Sequence, residues 1–245
     1  MDAHQVMLAQ QQRTIKILAL AQVLNGLGVA GTVAAGSLLV SSITDSETLA
    51  GLAQTSSVLG AAALAIPLAR LTARGGRRLA LSVGYLSGVL GSILAIIGGS
   101  SKTLAFMLIG TFLVGAASAA GYQARFAAID LASDEHRAKH LSFVVWGLTI
   151  GAVIGPNLMD PSGRLAESLG LPHLVGPYLI STITLLLSTL VIQLFLKPDP
   201  YLTARSMRGE SGSEKRQIKK ALSQDRKSTR LNSSHVKRSR MPSSA

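Results

Sequence analysis

Six stretches of this 245-residue chain run for about 18 residues or more with at most one charge. That is the length a helix needs to cross a hydrocarbon layer of about 30 Å. Soluble cores do not need such runs, so the pattern predicts an all-α membrane protein with six transmembrane helices, whose first partner is the lipid bilayer. The composition, 48% hydrophobic and 15% charged, is too apolar for an ordinary soluble domain. A net charge of +12 would ordinarily point to nucleic acid. Here the basic residues flank the apolar runs or crowd the end of the chain, and no nucleic-acid partner is expected. The sequence has no cysteine, which leaves no disulfide framework and no thiolate metal site.

Hydropathy places the spans at approximately Ile17 to Ile43, Leu49 to Leu68, Leu79 to Gly98, Leu104 to Ile129, Leu141 to Leu158 and Val175 to Leu196. Gly98 and Gly99, Pro161 and Gly163, and Pro198 and Pro200 are expected to break helices at the span ends. Arg13 and Lys16 lead into an apolar run longer than a signal sequence carries, so the first span is expected to be retained. One set of loops holds Arg13, Lys16, Arg70, Arg74, Arg77, Arg78, Arg137, Lys139 and Lys197, whereas the other holds only Lys102 and Arg164. Positive charge stays inside, which predicts a plasma-membrane protein with a cytoplasmic amino terminus.

Three segments stand out. The loop after the second span reads Ala69-Arg70-Leu71-Thr72-Ala73-Arg74-Gly75-Gly76-Arg77-Arg78. In the fifth span Gly147, Gly151 and Gly155 recur every fourth residue and end in Pro156. After the fourth span, Asp130 precedes Asp134-Glu135-His136-Arg137. The first segment resembles the signature GxLADRxGRR of the major facilitator superfamily, keeping Arg74, Gly76, Arg77 and Arg78 but carrying Ala69 and Ala73 for its Gly and Asp. The second is similar to the family's antiporter motif GxxxGP, and a stripe of small residues that packs two helices closely accounts for it equally well. The third resembles the family's acidic-then-Arg segment, and an ion pair of Asp130 with Arg74 or Arg77 is expected across the same membrane face.

The resemblance implies an amino-terminal half built as a three-plus-three inverted repeat, paired with a carboxyl-terminal six-helix half that this sequence lacks. It also implies that the first and fourth spans line a cavity for a small-molecule substrate. Polar residues inside spans are costly unless they meet a cavity or a partner. On the first span Gln22, Asn25 and Thr32 share a face at helical spacing, opposite Leu20, Leu27 and Leu38. Ser118, Tyr122, Gln123 and Arg125 come from the fourth. These seven are the expected cavity residues, and interhelical hydrogen bonding without substrate is the alternative. No Asp or Glu lies mid-span.

Enzyme motifs fail. Gly26, Gly28 and Gly31 fit GxGxxG, but inside a span and after no strand. His136 and His140 fit HxxxH, but the remaining histidines do not supply a multi-histidine metal site. No cofactor, no metal and no catalytic residue is expected.

The organisation read from this pattern is a cytoplasmic amino terminus over 1–16, a six-span unit over 17–197, the start of a central cytoplasmic loop over 198–224, and a tail over 225–245. The tail opens with Asp225-Arg226-Lys227-Ser228-Thr229-Arg230-Leu231-Asn232-Ser233-Ser234-His235. That string looks like the frame translation of a common sequencing-library adapter, and Ser239 to Ala245 resembles the adapter's far end, so the tail is expected to be artefact and disordered. The function this implies is secondary transport of a small solute by alternating access, with efflux or antiport from GxxxGP. The rival is a complete six-span membrane protein with a structural or interaction role and no transport.

Overall fold

A backbone with no water to bond must satisfy itself, and in a bilayer that leaves helices or closed barrels. The computed structural model describes residues 3–132 and 135–207, and among them no strand occurs. Asp134, most of 198–224 and all of the adapter-like tail lie outside the described residues.

The helices are α1 (Ala3–Thr44), α2 (Gly51–Ser100), α3 (Leu104–Ile129), α4 (Arg137–Asn157), α5 (Met159–Ser168) and α6 (Gly176–Phe195). Five helices among the described residues, rather than six separate ones, are long and apolar enough to cross a bilayer. The difference lies in α2, whose 50 residues would reach about 75 Å if straight. Gly76 breaks it, with φ 85° and ψ 175°, a backbone region open to glycine alone. The limbs 51–75 and 77–100 therefore serve as two crossings. Pro161 and Gly163 do not end a helix as expected. Both lie inside α5, Pro161 in its first turn, where a missing N–H costs nothing.

One end of the bundle gathers the start of α1, the Gly76 break, the end of α3, the start of α4 and the end of α6. There Gln11 donates to the carbonyl of Ala128 (2.9 Å), and the Arg78 amide donates to Asp199 (2.7 Å). This basic end carries the loops rich in Lys and Arg. At the opposite end Leu39, Met107, Val175 and Tyr178 form a second core cluster with Ala53 and Ala95. Leu20 and Leu38 lie half-exposed on the outer face of α1 while Gln22, Asn25 and Thr32 are buried.

Between helices, hydroxyls and amides act as cross-links. Ser92 Oγ donates to Ser181 Oγ (2.9 Å), Gln193 Nε2 to Ser82 Oγ (2.8 Å), and Ser188 Oγ to the carbonyl of Ala21 (3.3 Å). Apolar contact alone does not favour helix association in lipid, so close fit and such bonds must supply it. The fit is close where α4 crosses α1. A Cβ on Gly147 would lie 2.6 Å from the Ala19 carbonyl oxygen, one on Gly151 would overlap that of Val23, and one on Gly155 would lie 2.8 Å from that of Leu27. Pro156 follows one residue before α4 ends at Asn157.

Residues Thr203–Ala245 form a separate unit, of which 203–207 are described and helical.

Two positive-φ glycines allow the break to be tested. Gly170 (φ 74°) faces open space, whereas a Cβ on Gly76 would overlap the Asp199 carboxylate. Gly170→Ala should lower stability by about 1–2 kcal/mol, and Gly76→Ala should cost more. Thermal unfolding of the two purified variants checks the order.

Candidate functional site

The expected site residues fall into two groups. The first is at the basic end, built on the Gly76 break. Because the second limb of α2 starts there, its first amides have no helical partner. Asp199 supplies one: Oδ2 accepts from the Arg78 amide at 2.7 Å, and Oδ1 accepts from the amides of Tyr201 (2.9 Å) and Leu202 (3.2 Å). Asp199 thus caps the turn that follows α6, with Pro200 in the first helical position, while a negative charge sits at the start of the α2 limb.

Arg77, next to the break, is turned into the bundle. Its Nε donates to Asp130 Oδ2 (2.8 Å), Nη2 to Asp130 Oδ1 (3.3 Å) and Nη1 to Gln123 Oε1 (2.6 Å). The guanidinium lies 5.8 Å from the Phe126 ring centre and 5.7 Å from that of Tyr201. Arg77 and Asp130 keep only 11% and 13% of their side-chain surface exposed, so the pair is shielded enough for its bonds to count. Of the two arginines expected to meet Asp130, the structure brings in Arg77. Arg74 is exposed and has no ion-pair partner among the described residues. Arg137 begins α4 at the same end.

The second group is a cleft of about 200 Å³ bounded by α1, α3 and α4, with Asn25, Ser118 and Tyr122 on its wall beside Val29 and Leu148. Asn25 is 2% exposed, and its Oδ1 accepts no hydrogen bond, although Nδ2 reaches Gln22 Oε1 at 3.4 Å. Tyr122 is half-exposed, and the Arg125 guanidinium stacks 5.0 Å from its ring centre. Arg125 Nε is buried without an acceptor.

Four expected cavity residues, Gln22, Thr32, Gln123 and Arg125, do not line this cleft. Gln22, fully buried, spends its amide on the Gly121 carbonyl of α3 (3.0 Å). Thr32 bonds back to the carbonyl of Val29 (2.7 Å) and borders a separate small void against α2. Gln123 belongs to the Arg77 cluster. Helical spacing places a residue on a face; the neighbour it meets depends on depth and on the crossing helix. Asp199, Tyr201 and Gln11 were not expected, and the one signal for Asp199 was a carboxylate between two prolines just past a span. His136 and His140 stack at 5.9 Å. No three metal-ligating side chains gather among the described residues.

The sequence profile of the Major Facilitator Superfamily matches residues 18–239. Two proteins of Bacillus subtilis (strain 168), the uncharacterized MFS-type transporters YddS and YdeG, are 33% and 34% identical over 208 and 196 residues. Those alignments take in 84% and 80% of this chain but 48% and 46% of the relatives. The chain spans about half the length of these curated relatives. The riboflavin transporter RfnT of Brucella anthropi is 28% identical over 148 residues, 60% of this chain and 37% of its own.

Losing one partner of the Arg77–Asp130 pair should cost about 1.5–3 kcal/mol, the range for hydrogen bonds to charged groups. A double-mutant cycle of Arg77→Ala and Asp130→Ala, read by thermal unfolding, should give a coupling well above the 0–1 kcal/mol typical of an exposed pair. Arg74→Ala should couple to Asp130→Ala by nothing measurable.

Proposed function

The chain belongs to the major facilitator superfamily, and from that premise we propose that it moves a small solute across the membrane by alternating access, working with a second six-helix half. The relatives it matches are transporters and not enzymes. The observation that carries the proposal is the unpartnered carbonyl oxygen of Asn25 at the wall of the cleft. A buried acceptor without a donor is expensive in an apolar medium, and a solute or water bearing a donor would relieve it. Ser118 would add a hydroxyl, Tyr122 a face for stacking and Arg125 a cation near the basic end. With no Asp or Glu mid-span, a carboxylate for proton coupling would belong to the second half.

In this reading the Arg77–Asp130–Gln123 cluster ties α2 to α3 so that the six crossings move as one body, and Arg74 is left to meet the second half. The basic end is cytoplasmic by the positive-inside rule. GxxxGP leans the reading toward efflux or antiport. The six-span structural protein remains the rival; it requires neither a wet cleft nor a second half.

The absence of cysteine gives a clean background for both tests. Single cysteines at Ser118 and Tyr122 should react with a water-borne thiol reagent in native membranes. One at Leu90, 60% exposed on the outer face, should not, because a thiol in lipid does not ionise. If Tyr122→Cys and Leu90→Cys are equally inert, the cleft is not a solute path. In intact cells Glu47→Cys should be reachable and Arg74→Cys shielded; labelling of both from one side would overturn the orientation. Reconstituted alone, the chain should give no solute flux, and steady flux would overturn the need for a second half.

A further inference from the structure

A cavity of about 300 Å³ lies at the basic end, between the start of α1 and the segment just past α6. It is separate from the cleft and from the Arg77 cluster. Its wall is mixed: the polar side chains of Arg13, Lys197, Gln10 and Thr14 share it with the apolar Ile17 and Phe195. Arg13 and Ile17 are one helical turn apart on the same face. Phe195 is half-exposed, in the zone a bilayer would cover.

The lining contains two cations and no carboxylate. Neither Arg13 nor Lys197 has an ion-pair partner among the described residues. The Gln10 Nε2 donor is buried without an acceptor. Two cations and a buried amide donor on the wall of one cavity suit an anion that accepts several hydrogen bonds at once, which is phosphate chemistry. The apolar floor beside them suits an amphiphile better than a free ion, because it would bury hydrocarbon as well as charge.

We propose that this cavity is a binding site for the phosphodiester headgroup of an anionic phospholipid, with Arg13, Lys197 and Gln10 holding the phosphate and Ile17 and Phe195 contacting the first part of an acyl chain. The site would fasten the start of α1 to the end of α6 at the membrane surface. It does not depend on the transport proposal.

The test separates a site from diffuse attraction. The 245-residue chain in neutral detergent is titrated with phosphatidylglycerol, and bound lipid is counted by native mass spectrometry. Arg13→Gln with Lys197→Gln should weaken retention of one tightly held lipid more than tenfold, since each basic residue near a surface contributes about fivefold. Lys16→Gln with Arg70→Gln removes the same charge at the same end but outside the cavity, and should leave that lipid in place. Thermal unfolding without lipid should be the same for both double variants, which rules out misfolding as the cause. Equal loss in the two double variants, or no retained lipid in the parent chain, overturns the proposal. So does displacement of the lipid by millimolar inorganic phosphate, which would mark a pocket for the free anion.

Discussion

A backbone that reverses at a membrane surface frees amides that need new acceptors, and here the reversal at Gly76 finds one in a carboxylate from 121 residues away in sequence. The positive φ lets the chain turn. The absent Cβ leaves room for Asp199, and the Asp199 carboxylate then meets the amide of Arg78. Each element depends on the others, since a side chain at 76 would displace the cap and an uncapped limb would leave its first turn unsatisfied. With the turn fixed, Arg77 enters the bundle and reaches α3 through Asp130 and Gln123. One local break thereby connects α2, α3 and the end of α6, and a 50-residue helix becomes two crossings.

The spans were the most legible part of the sequence. α3 runs over the expected Leu104 to Ile129, and α2 stops one residue past Gly98 and Gly99 at Ser100. Both follow from apolar length, which a bilayer enforces without reference to neighbours. The buried face of α1 was legible for the same kind of reason, because Gln22, Asn25 and Thr32 recur at helical spacing. What each of these meets was not. Gln22 lies opposite the Gly121 carbonyl of α3, and Thr32 sits close enough to its own preceding turn to bond there, so of the three only Asn25 lines the cleft. Period gives direction, and the crossing helix decides the partner. Asp199 was illegible for the opposite reason: its partner is the N-terminus of a helix limb that exists only because Gly76 breaks α2.

The two faces of α1 carry different work. Toward α4 it presents backbone, and the small residues of α4 approach it so closely that Gly151 leaves no room for a methyl group beside the Val23 carbonyl. Toward α3 it presents side chains. That division explains why Gly26, Gly28 and Gly31 match a dinucleotide fingerprint by accident: a Cβ on Gly26 would lie 2.5 Å from the Leu148 carbonyl oxygen, so its role is contact between helices. Packing of this kind holds α4 directly against α1, and the cleft is bounded by that pair on one side and α3 on the other.

Arginine at 77 is a matter of geometry more than charge. The guanidinium offers donors in a fixed plane, and three of them are used at once, two on the Asp130 carboxylate and one on Gln123. The flat faces remain for Phe126 and Tyr201. A lysine ammonium carries the same charge as a point, with donors that cannot reach a carboxylate and an amide in a single plane and no face to stack. The loop offers three other arginines, but Arg70 and Arg74 sit on the helix before the break and are exposed, and Arg78 contributes its backbone to Asp199. Position relative to Gly76 therefore selects which basic residue of the signature turns inward, while Arg70 and Arg74 stay at the surface, where they supply positive charge at this end.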